Sequence, residues 1–518
     1  MTRRWRGGGL AGPLDGAPPR AFWRIALAAV LLVGGLLSLG EGPVSRAASR
    51  PQLRALLVGG GPDRESNQVG IESNVRYVAR VLPSGAKRTI LFADGNPREA
   101  TVQFDPQGLE TSRAGYAAGE EAYSLIFAVQ EETGEGALAY RAPKLPSLDG
   151  PAQKPTIARA FDALGRDLAA SRQPVLLYFT GHGSQGDDDS VHFDLWGNST
   201  PLSVRDLAAD LARIPAQVPV ALVMVQCFSG GFANLLFEGG NPEGALVDRD
   251  LAGYFAATAE RMSSGCTPSL DEADYQDFTS YFFAALSGRD RVGRKVSGVD
   301  YNHDGRVGMD EAFAYVLVSD EDIDVPTCTS DGFLRRFVPG VDEEVFRAGF
   351  PQTLSWATPA QAAALQGLSR KLNLTADDRL SAAYTEFRGM GSTRGRARRS
   401  QLATTRERLR RKYQAQMEAE FPALRDPSSQ GYADARKRAI RRLDSLANSG
   451  ALADLLQAEE DLQQAREQPQ YTLRQTRILR LLRLAKSVIL AHRLESAGDQ
   501  TLLTRYHRLR VAEERSLL

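Results

Sequence analysis

Pro174-Val-Leu-Leu-Tyr-Phe-Thr-Gly-His182-Gly183 is a short run of apolar, β-branched and aromatic residues that stops on a glycine, and Val220-Ala-Leu-Val-Met-Val-Gln-Cys227-Phe-Ser-Gly-Gly231 is a second. Runs of this length without polar alternation read as strands buried on both faces, as in parallel sheets. Between them, Ser203 with Asp206 three residues on has the form of a capping box, opening a helix to Ile214. Strand, helix and strand in that order predict neighbouring parallel strands. His182 and Cys227 then arrive at the same carboxyl edge, where open α/β sheets place their ligand sites.

Working outward, Arg54-Ala-Leu-Leu-Val58 ahead of Gly59-Gly60-Gly61 predicts a first strand, Glu72 to Leu82 a helix, and Thr89-Ile-Leu-Phe92 the next strand. Pro62, Asp63 and Arg64 follow Gly61 where a dinucleotide fingerprint needs a spaced third glycine, so no organic cofactor is expected. From Gly95 to about Pro155 the sequence is Gly-, Pro- and Glu-rich without clear periodicity, which predicts an irregular surface insertion. Thr156 is expected to cap a helix that buries Ile157, Phe161, Leu164 and Leu168.

Beyond about Val345 the composition turns Arg-, Ala-, Leu-, Gln- and Glu-rich, and Thr358-Pro359 opens a helix. Ile478, Leu481, Leu482, Ala485, Val488 and Ile489 form one apolar stripe, with Arg477, Arg480, Arg483 and Lys486 elsewhere on the wheel. Those arginines read as a solvated face with acidic partners in the same region. The expected class is therefore α/β: a mostly parallel sheet flanked by helices over 53–345, then a separate all-α domain over 346–518. The stretch Gly391 to Arg399 reads as an exposed link within the latter.

The chain has 518 residues, 42% of them hydrophobic and 24% charged, enough for two or three domains with full cores. Lys+Arg and Asp+Glu are both 63, which gives no global charge argument for a nucleic-acid partner, and none is expected. An Arg- and Gly-rich start precedes the unbroken apolar and small-residue stretch Ile25 to Leu39. Residues 1–48 thus read as an export signal, with Ser45-Arg-Ala47 as a cleavage site. Fewer than the roughly 20 residues of a bilayer span are present, which favours cleavage; a membrane tether through 21–39 is the alternative. Arg3-Arg4 lacks the hydrophobic pair that a twin-arginine signal requires. The bulk of the protein is expected outside the cytoplasm: periplasmic, secreted or membrane-anchored.

In that oxidising setting the three cysteines, Cys227, Cys266 and Cys328, leave one thiol over. Cys227 is the natural odd one, with Cys266 and Cys328 open to a disulfide. A thiol attacks a carbonyl as thiolate, and an imidazole makes that form accessible. Glycines beside both residues, Gly183 and Gly230-Gly231, allow backbone N–H groups to approach an oxyanion. Either residue alone reads as a core cysteine or a turn histidine. Together, at strand ends beside glycines, they read as nucleophile and base. A serine-hydrolase elbow at Ser229 is rejected, because its first glycine is absent and the histidine precedes the serine.

Tyr178-Phe-Thr-Gly-His-Gly183, Pro201-Leu-Ser-Val-Arg-Asp-Leu207 and Gln226-Cys227-x-Ser229-Gly230 resemble legumain, the asparaginyl endopeptidase family of caspase-like cysteine peptidases. Tyr254-Phe-Ala-Ala-Thr-Ala259 and Ser263-Ser264-Gly-Cys266 extend the likeness, which covers residues 54 to 285. The resemblance implies a caspase-like fold, a His182/Cys227 dyad, an oxyanion site at the N–H groups of Gly183 and Cys227, and a peptide or protein substrate cleaved through a thioester. It also implies that the C-terminal helical region covers the site until removed. Asn74-Val75-Arg76 matches an Asn-x-Arg element, making Arg76, Ser263 and Ser264 candidate pocket residues; Thr267-Pro268-Ser269 departs from the pattern and leaves asparagine preference open. The competing class is a catalytically inert scaffold or interaction protein of the cell envelope.

Asp300-Tyr-Asn302-His-Asp304-Gly305-Arg306-Val307-Gly308-Met-Asp-Glu311 follows the twelve-residue EF-hand loop. Asp300, Asn302, Asp304, Arg306 and Glu311 are the candidate calcium ligands, in a structural role, although Gly288 to Gly298 makes a poor entering helix. The remaining histidines show no metal-ligand spacing, and Asp187, Asp188 and Asp189 read as a solvated loop near the site.

Overall fold

The computed structural model describes residues 52–105, 118–127, 138–186, 190–197, 201–390, 393–425, 431–467 and 473–518. The expected signal over 1–48 and the aspartates at 187–189 lie outside them. Six strands form the main sheet: β1 (Arg54–Gly60), β2 (Lys87–Phe92), β3 (Val175–Gly181), β4 (Val220–Met224), β5 (Leu251–Phe255) and β6 (Thr327–Cys328). Their order across the sheet is β6-β5-β4-β3-β1-β2, parallel throughout except for the antiparallel edge strand β6.

Successive strand residues serve opposite faces, and the buried set divides on that period of two. Leu57, Leu176, Tyr178, Val223 and Tyr254 face one core, with Ile71, Val75 and Val78 of α1 (Val69–Val81). Leu56, Val58, Leu177, Phe179, Leu222 and Met224 face the other, with Ile157 and Phe161 of α2 (Lys154–Leu168) and Leu207 and Leu211 of α3 (Val204–Leu211). Helices α4 (Phe278–Ser287) and α5 (Met309–Ser319) complete the first face through Phe278, Phe282, Phe283, Ala312 and Val316. Sheet residues buried on both sides explain the unbroken apolar runs.

Helix α3 starts as its capping box requires: Ser203 Oγ accepts the Asp206 N–H at 3.1 Å, and Asp206 accepts the Ser203 N–H at 2.9 Å. Helix α2 differs from expectation. It opens two residues before Thr156, capped at Gln153 with Pro155 in its first turn, because the fixed φ of proline suits that position. The region from 95 to 155 is also less irregular than its composition suggests. Val102–Phe104 pairs with Ala139–Arg141, and the helix Ala118–Phe127 buries Tyr123 and Ile126 against Tyr413, Met417 and Leu443.

The helices after residue 345 pack into the same compact unit as the sheet, which runs from Pro51 to Leu518. From α6 (Leu473–Ala497), Leu490 and Leu494 meet Phe333 and Leu334. From α7 (Gln500–Glu513), the Glu513 carbonyl accepts the Tyr254 hydroxyl at 2.9 Å, and its carboxylate accepts from Thr329 Oγ1 at 2.8 Å. The arginines of α6 do not form a solvated face: Arg480 is 1% exposed, and Arg483 pairs with Asp331 at 2.8 Å. The acidic partners of Arg477, Arg480 and Arg483 (Glu321, Asp320 and Asp331) come from the sheet-bearing half of the chain, whereas Arg474 pairs with Glu386. The stretch read as a link lies in part outside the described residues, and from Thr393 it belongs to the helix Thr393–Glu420. Among the described residues no helix is long and apolar enough to cross a membrane.

Candidate active site

The β3–β4 ladder pairs Val175 with Val220 and keeps an offset of 45 residues up to Phe179 and Met224. The Val225 N–H donates to the Phe179 carbonyl at 3.0 Å and continues the ladder past the strand end. Carried on at the same offset, the register matches His182 with Cys227. The two loops touch where it predicts: a Cβ on Gly183 would lie 2.3 Å from the Cys227 carbonyl oxygen and 2.7 Å from Gln226 Cγ. Only glycine fits there.

The imidazole of His182 is fixed from behind. Its Nε2 lies 2.9 Å from the Ser66 carbonyl and 3.0 Å from Gln68 Oε1. A carbonyl only accepts, so Nε2 carries the proton and Nδ1 presents a lone pair. That is the tautomer a general base needs. The thiol nearest Nδ1 is Cys266, with Sγ at 3.9 Å. Cys227 makes no hydrogen bond to His182; its Sγ accepts the Ser263 N–H at 3.4 Å and lies 3.7 Å from the Ser263 carbonyl. Sequence reasoning missed Ser66, Gln68 and Cys266, the first two because a carbonyl and an amide in the loop after β1 carry no recognisable motif.

Burial pushes the Cys227 thiol above its ordinary value of 9.0, and the Ser263 N–H opposes that rise only in part. That rise favours the neutral thiol at rest. Immediately after it, Phe228 takes a left-handed conformation with φ of 61°, rare for a residue with a side chain and characteristic of strained functional turns. Among the described residues no carbonyl accepts the Cys227 N–H, which leaves that donor open, as the expected oxyanion role requires. Gly230 and Gly231 do not share this role. Their N–H groups donate to the Ala257 carbonyl at 2.8 Å and the Phe228 carbonyl at 3.1 Å.

Of the pocket candidates, Ser263 and Ser264 sit beside Cys227. Ser263 Oγ donates to the Val225 carbonyl at 2.8 Å, and the Ser264 N–H donates to Asp324 Oδ1 at 2.7 Å. Arg76 is elsewhere, held by Glu272 and by Glu72 at 3.6 Å, with no bond to either loop among the described residues. From the same helix it is Asn74 that reaches the end of β3, with Nδ2 3.3 Å from Thr180 Oγ1 and 2.8 Å from Asp277 Oδ2. The Gln226 amide and Ser264 Oγ are buried without a hydrogen-bond partner among the described residues. No disulfide joins Cys266 and Cys328: Cys266 is exposed at the histidine, while Cys328 is buried on β6 beside Ser330 Oγ at 3.3 Å.

The EF-hand-like loop folds back on itself. Asp300 accepts the N–H groups of Asp304 and Gly305 at 3.1 and 3.0 Å, Asn302 Oδ1 accepts that of Asp304 at 2.9 Å, and Asp304 Oδ1 accepts that of Arg306 at 2.8 Å. Gly305 has φ of 85°, as the sixth position of such a loop demands. Glu311 is buried and accepts from the N–H groups of Tyr301, Asn302 and Gly308 at 2.6, 3.0 and 2.9 Å. The oxygens of Asp300, Asn302 and Asp304 that accept these bonds each keep a lone pair for a cation, as does Glu311 Oε2, whereas Glu311 Oε1 already accepts two N–H groups. The oxygens fit calcium by type, but among the described residues no three His, Cys, Asp or Glu side chains are gathered closely enough to hold a metal. No protein-family model matches this chain, and neither does any curated protein.

Proposed function

We propose that the protein is a caspase-like, legumain-like cysteine endopeptidase. The observation that carries this reading is the matched register of His182 and Cys227 at the carboxyl ends of adjacent parallel strands, with the imidazole tautomer set by Ser66 and Gln68. A mostly parallel sheet with helices on both faces is also what the legumain resemblance implies. Cys227 Sγ attacks the scissile carbonyl carbon while its proton passes to His182 Nδ1. The tetrahedral oxyanion accepts from the N–H groups of Gly183 and Cys227. Collapse breaks the C–N bond, the leaving amine takes the proton from His182, and a thioester remains. Water, deprotonated by the same imidazole, then releases the acid and restores the thiol. Ser263 and Ser264 border the nucleophile and serve as the pocket wall. The site takes a peptide or protein substrate and needs no organic cofactor.

The protein acts outside the cytoplasm in this reading, after export directed by residues 1–48. Calcium would sit at Asp300, Asn302, Asp304, the Arg306 carbonyl and Glu311, where it would brace the entry to α5 and take no part in thiol chemistry.

The test is incubation of the intact chain with a peptidyl acyloxymethyl ketone, with adducts mapped by mass spectrometry, beside cleavage of a peptide library with and without calcium. The expected result is an adduct on Cys227 that requires His182, and cleavage that Cys227→Ala abolishes. Absence of both in the parent protein overturns the reading. One observation favours an inert scaffold instead: the resting Cys227 thiol bonds Ser263, while Cys266 faces the imidazole. In that case the ketone labels Cys227 no faster than a free thiol.

A further inference from the structure

Helix α6 sends Arg480 into the interior, where a guanidinium must find acceptors for its N–H groups. One turn, 320–324, supplies them. Nε donates to the Asp324 carbonyl at 2.7 Å, Nη1 to the Asp320 carbonyl, and Nη2 to the Asp322 carbonyl at 2.9 Å, with the Asp320 carboxylate 3.1 Å away. Inside the turn, Asp320 Oδ1 accepts the Asp322 N–H at 2.8 Å and Asp322 Oδ1 accepts the Ile323 N–H at 2.7 Å. The backbone here is moulded on a side chain that arrives from some 160 residues further along the chain.

The far end of the turn meets the nucleophile's surroundings. Asp324 is fully buried, and its Oδ1 accepts the Ser264 N–H at 2.7 Å. Ser263, one residue earlier, donates its own N–H to Cys227 Sγ at 3.4 Å. A second path runs in parallel: Arg261 Nη2 donates to the Ile323 carbonyl at 3.3 Å, and the Phe228 N–H donates to the Arg261 carbonyl at 2.7 Å. Ser263 within this stretch touches Cys227, and Phe228, bonded to Arg261, adjoins it.

We infer that Arg480 and Asp324 are positioning residues of the active site, through which helix α6 holds the 261–264 wall against the Cys227 thiol. The catalytic consequence rests on the peptidase reading; the mechanical one rests on the bonds alone. The C-terminal helical region is then a brace that the mature site retains. Buried ion pairs contribute little net stability compared with well-packed apolar residues, so the fixed geometry of the turn is the return on burying this arginine.

The experiment uses the intact chain carrying Asp324→Ala, Asp324→Asn or Arg480→Met. Backbone amide exchange across 261–266 is measured by mass spectrometry, beside the rate of Cys227 adduct formation with the peptidyl ketone. Asp324→Ala removes the acceptor of the Ser264 N–H and is expected to speed exchange there about tenfold or more, and to slow adduct formation about tenfold. Asp324→Asn retains an acceptor oxygen and keeps both within about threefold of the parent. Arg480→Met follows Asp324→Ala if it folds; the Asp324 pair decides the matter if it does not. Exchange unchanged in Asp324→Ala overturns the inference, and so does faster exchange with an unchanged adduct rate. A parent chain that forms no adduct and cleaves no peptide defeats the peptidase reading instead, and exchange then judges the brace by itself.

Discussion

Replacing Gly183 with alanine sets a single methyl group between the two loops of the site. That carbon would stand 2.3 Å from the Cys227 carbonyl oxygen, 2.7 Å from Gln226 Cγ and 3.1 Å from the His192 carbonyl oxygen. Non-bonded carbon contacts settle near about 3.5 Å, so the His182 loop and the Cys227 loop must part by about 1 Å. Overpacking of this kind costs about 1–3 kcal/mol. With an unfolding entropy of about 2.1 cal/mol/K per residue over the compact unit, that cost lowers Tm by only about 1–3 °C. Chemistry is less forgiving: a 1 Å misplacement of reacting groups costs about 100-fold in rate. The assay is the rate of Cys227 adduct formation with a peptidyl ketone, beside a thermal melt. Gly85→Ala serves as the control, because its added Cβ would meet only the Gln52 amide, at 4.0 Å. An adduct rate for Gly183→Ala within about threefold of the parent refutes the claim that contact between the two loops sets the geometry of the dyad.

Because burial raises the Cys227 thiol above 9.0, its thiolate fraction lags behind that of a free thiol at every pH, and alkylation of Cys227 by iodoacetamide should keep climbing through pH 9. A plateau below pH 8, mapped to Cys227 by mass spectrometry, would mean a preformed ion pair and contradict the resting geometry. Gln68→Ala removes one of two acceptors at His182 Nε2 and leaves the Ser66 carbonyl, so adduct formation should fall by only about 2- to 10-fold; a loss near 100-fold would show that the carbonyl alone does not hold the ring. Glu311→Ala strands three backbone N–H groups and should cost about 1–3 kcal/mol in a melt without calcium. If the loop binds calcium, millimolar calcium raises Tm in the parent and not in this variant; equal shifts in both would place the ion elsewhere.

The strands around His182 and Cys227 were legible because burial on both faces removes polar residues from the run, and that absence is itself the signal. The starts of α3 and of the helix at Thr358 were legible for local reasons: a capping side chain with its partner three residues on in the first, and a proline in the first turn after a threonine in the second. Long-range partners leave no such mark. Tyr123 and Ile126 find their core only against residues about 300 positions away, so the segment holding them reads as irregular. Arg480 occupies a gap in an apolar stripe, and nothing local to it announces a turn of unpaired carbonyls in another part of the chain. Asn74 and Arg76 lie two residues apart on one helix, and only Asn74 turns toward β3, because side chains at that spacing leave the helix on different sides; Glu72 and Glu272 hold the arginine on its own side. Cys266 faces His182 although neither residue type nor spacing suggests it.

The offset between β3 and β4 works as a ruler: hydrogen bonds between neighbouring strands bring His182 and Cys227 to matched positions, and the length of chain that connects them plays no part in setting that match. The turns of the crossover from His182 to Val220 can lengthen or shorten while the two residues stay in step, provided that Leu207 and Leu211 of α3 keep their place in the core. A slip of one residue between the two strands, by contrast, would reverse which side chains meet each core and part the two groups at once.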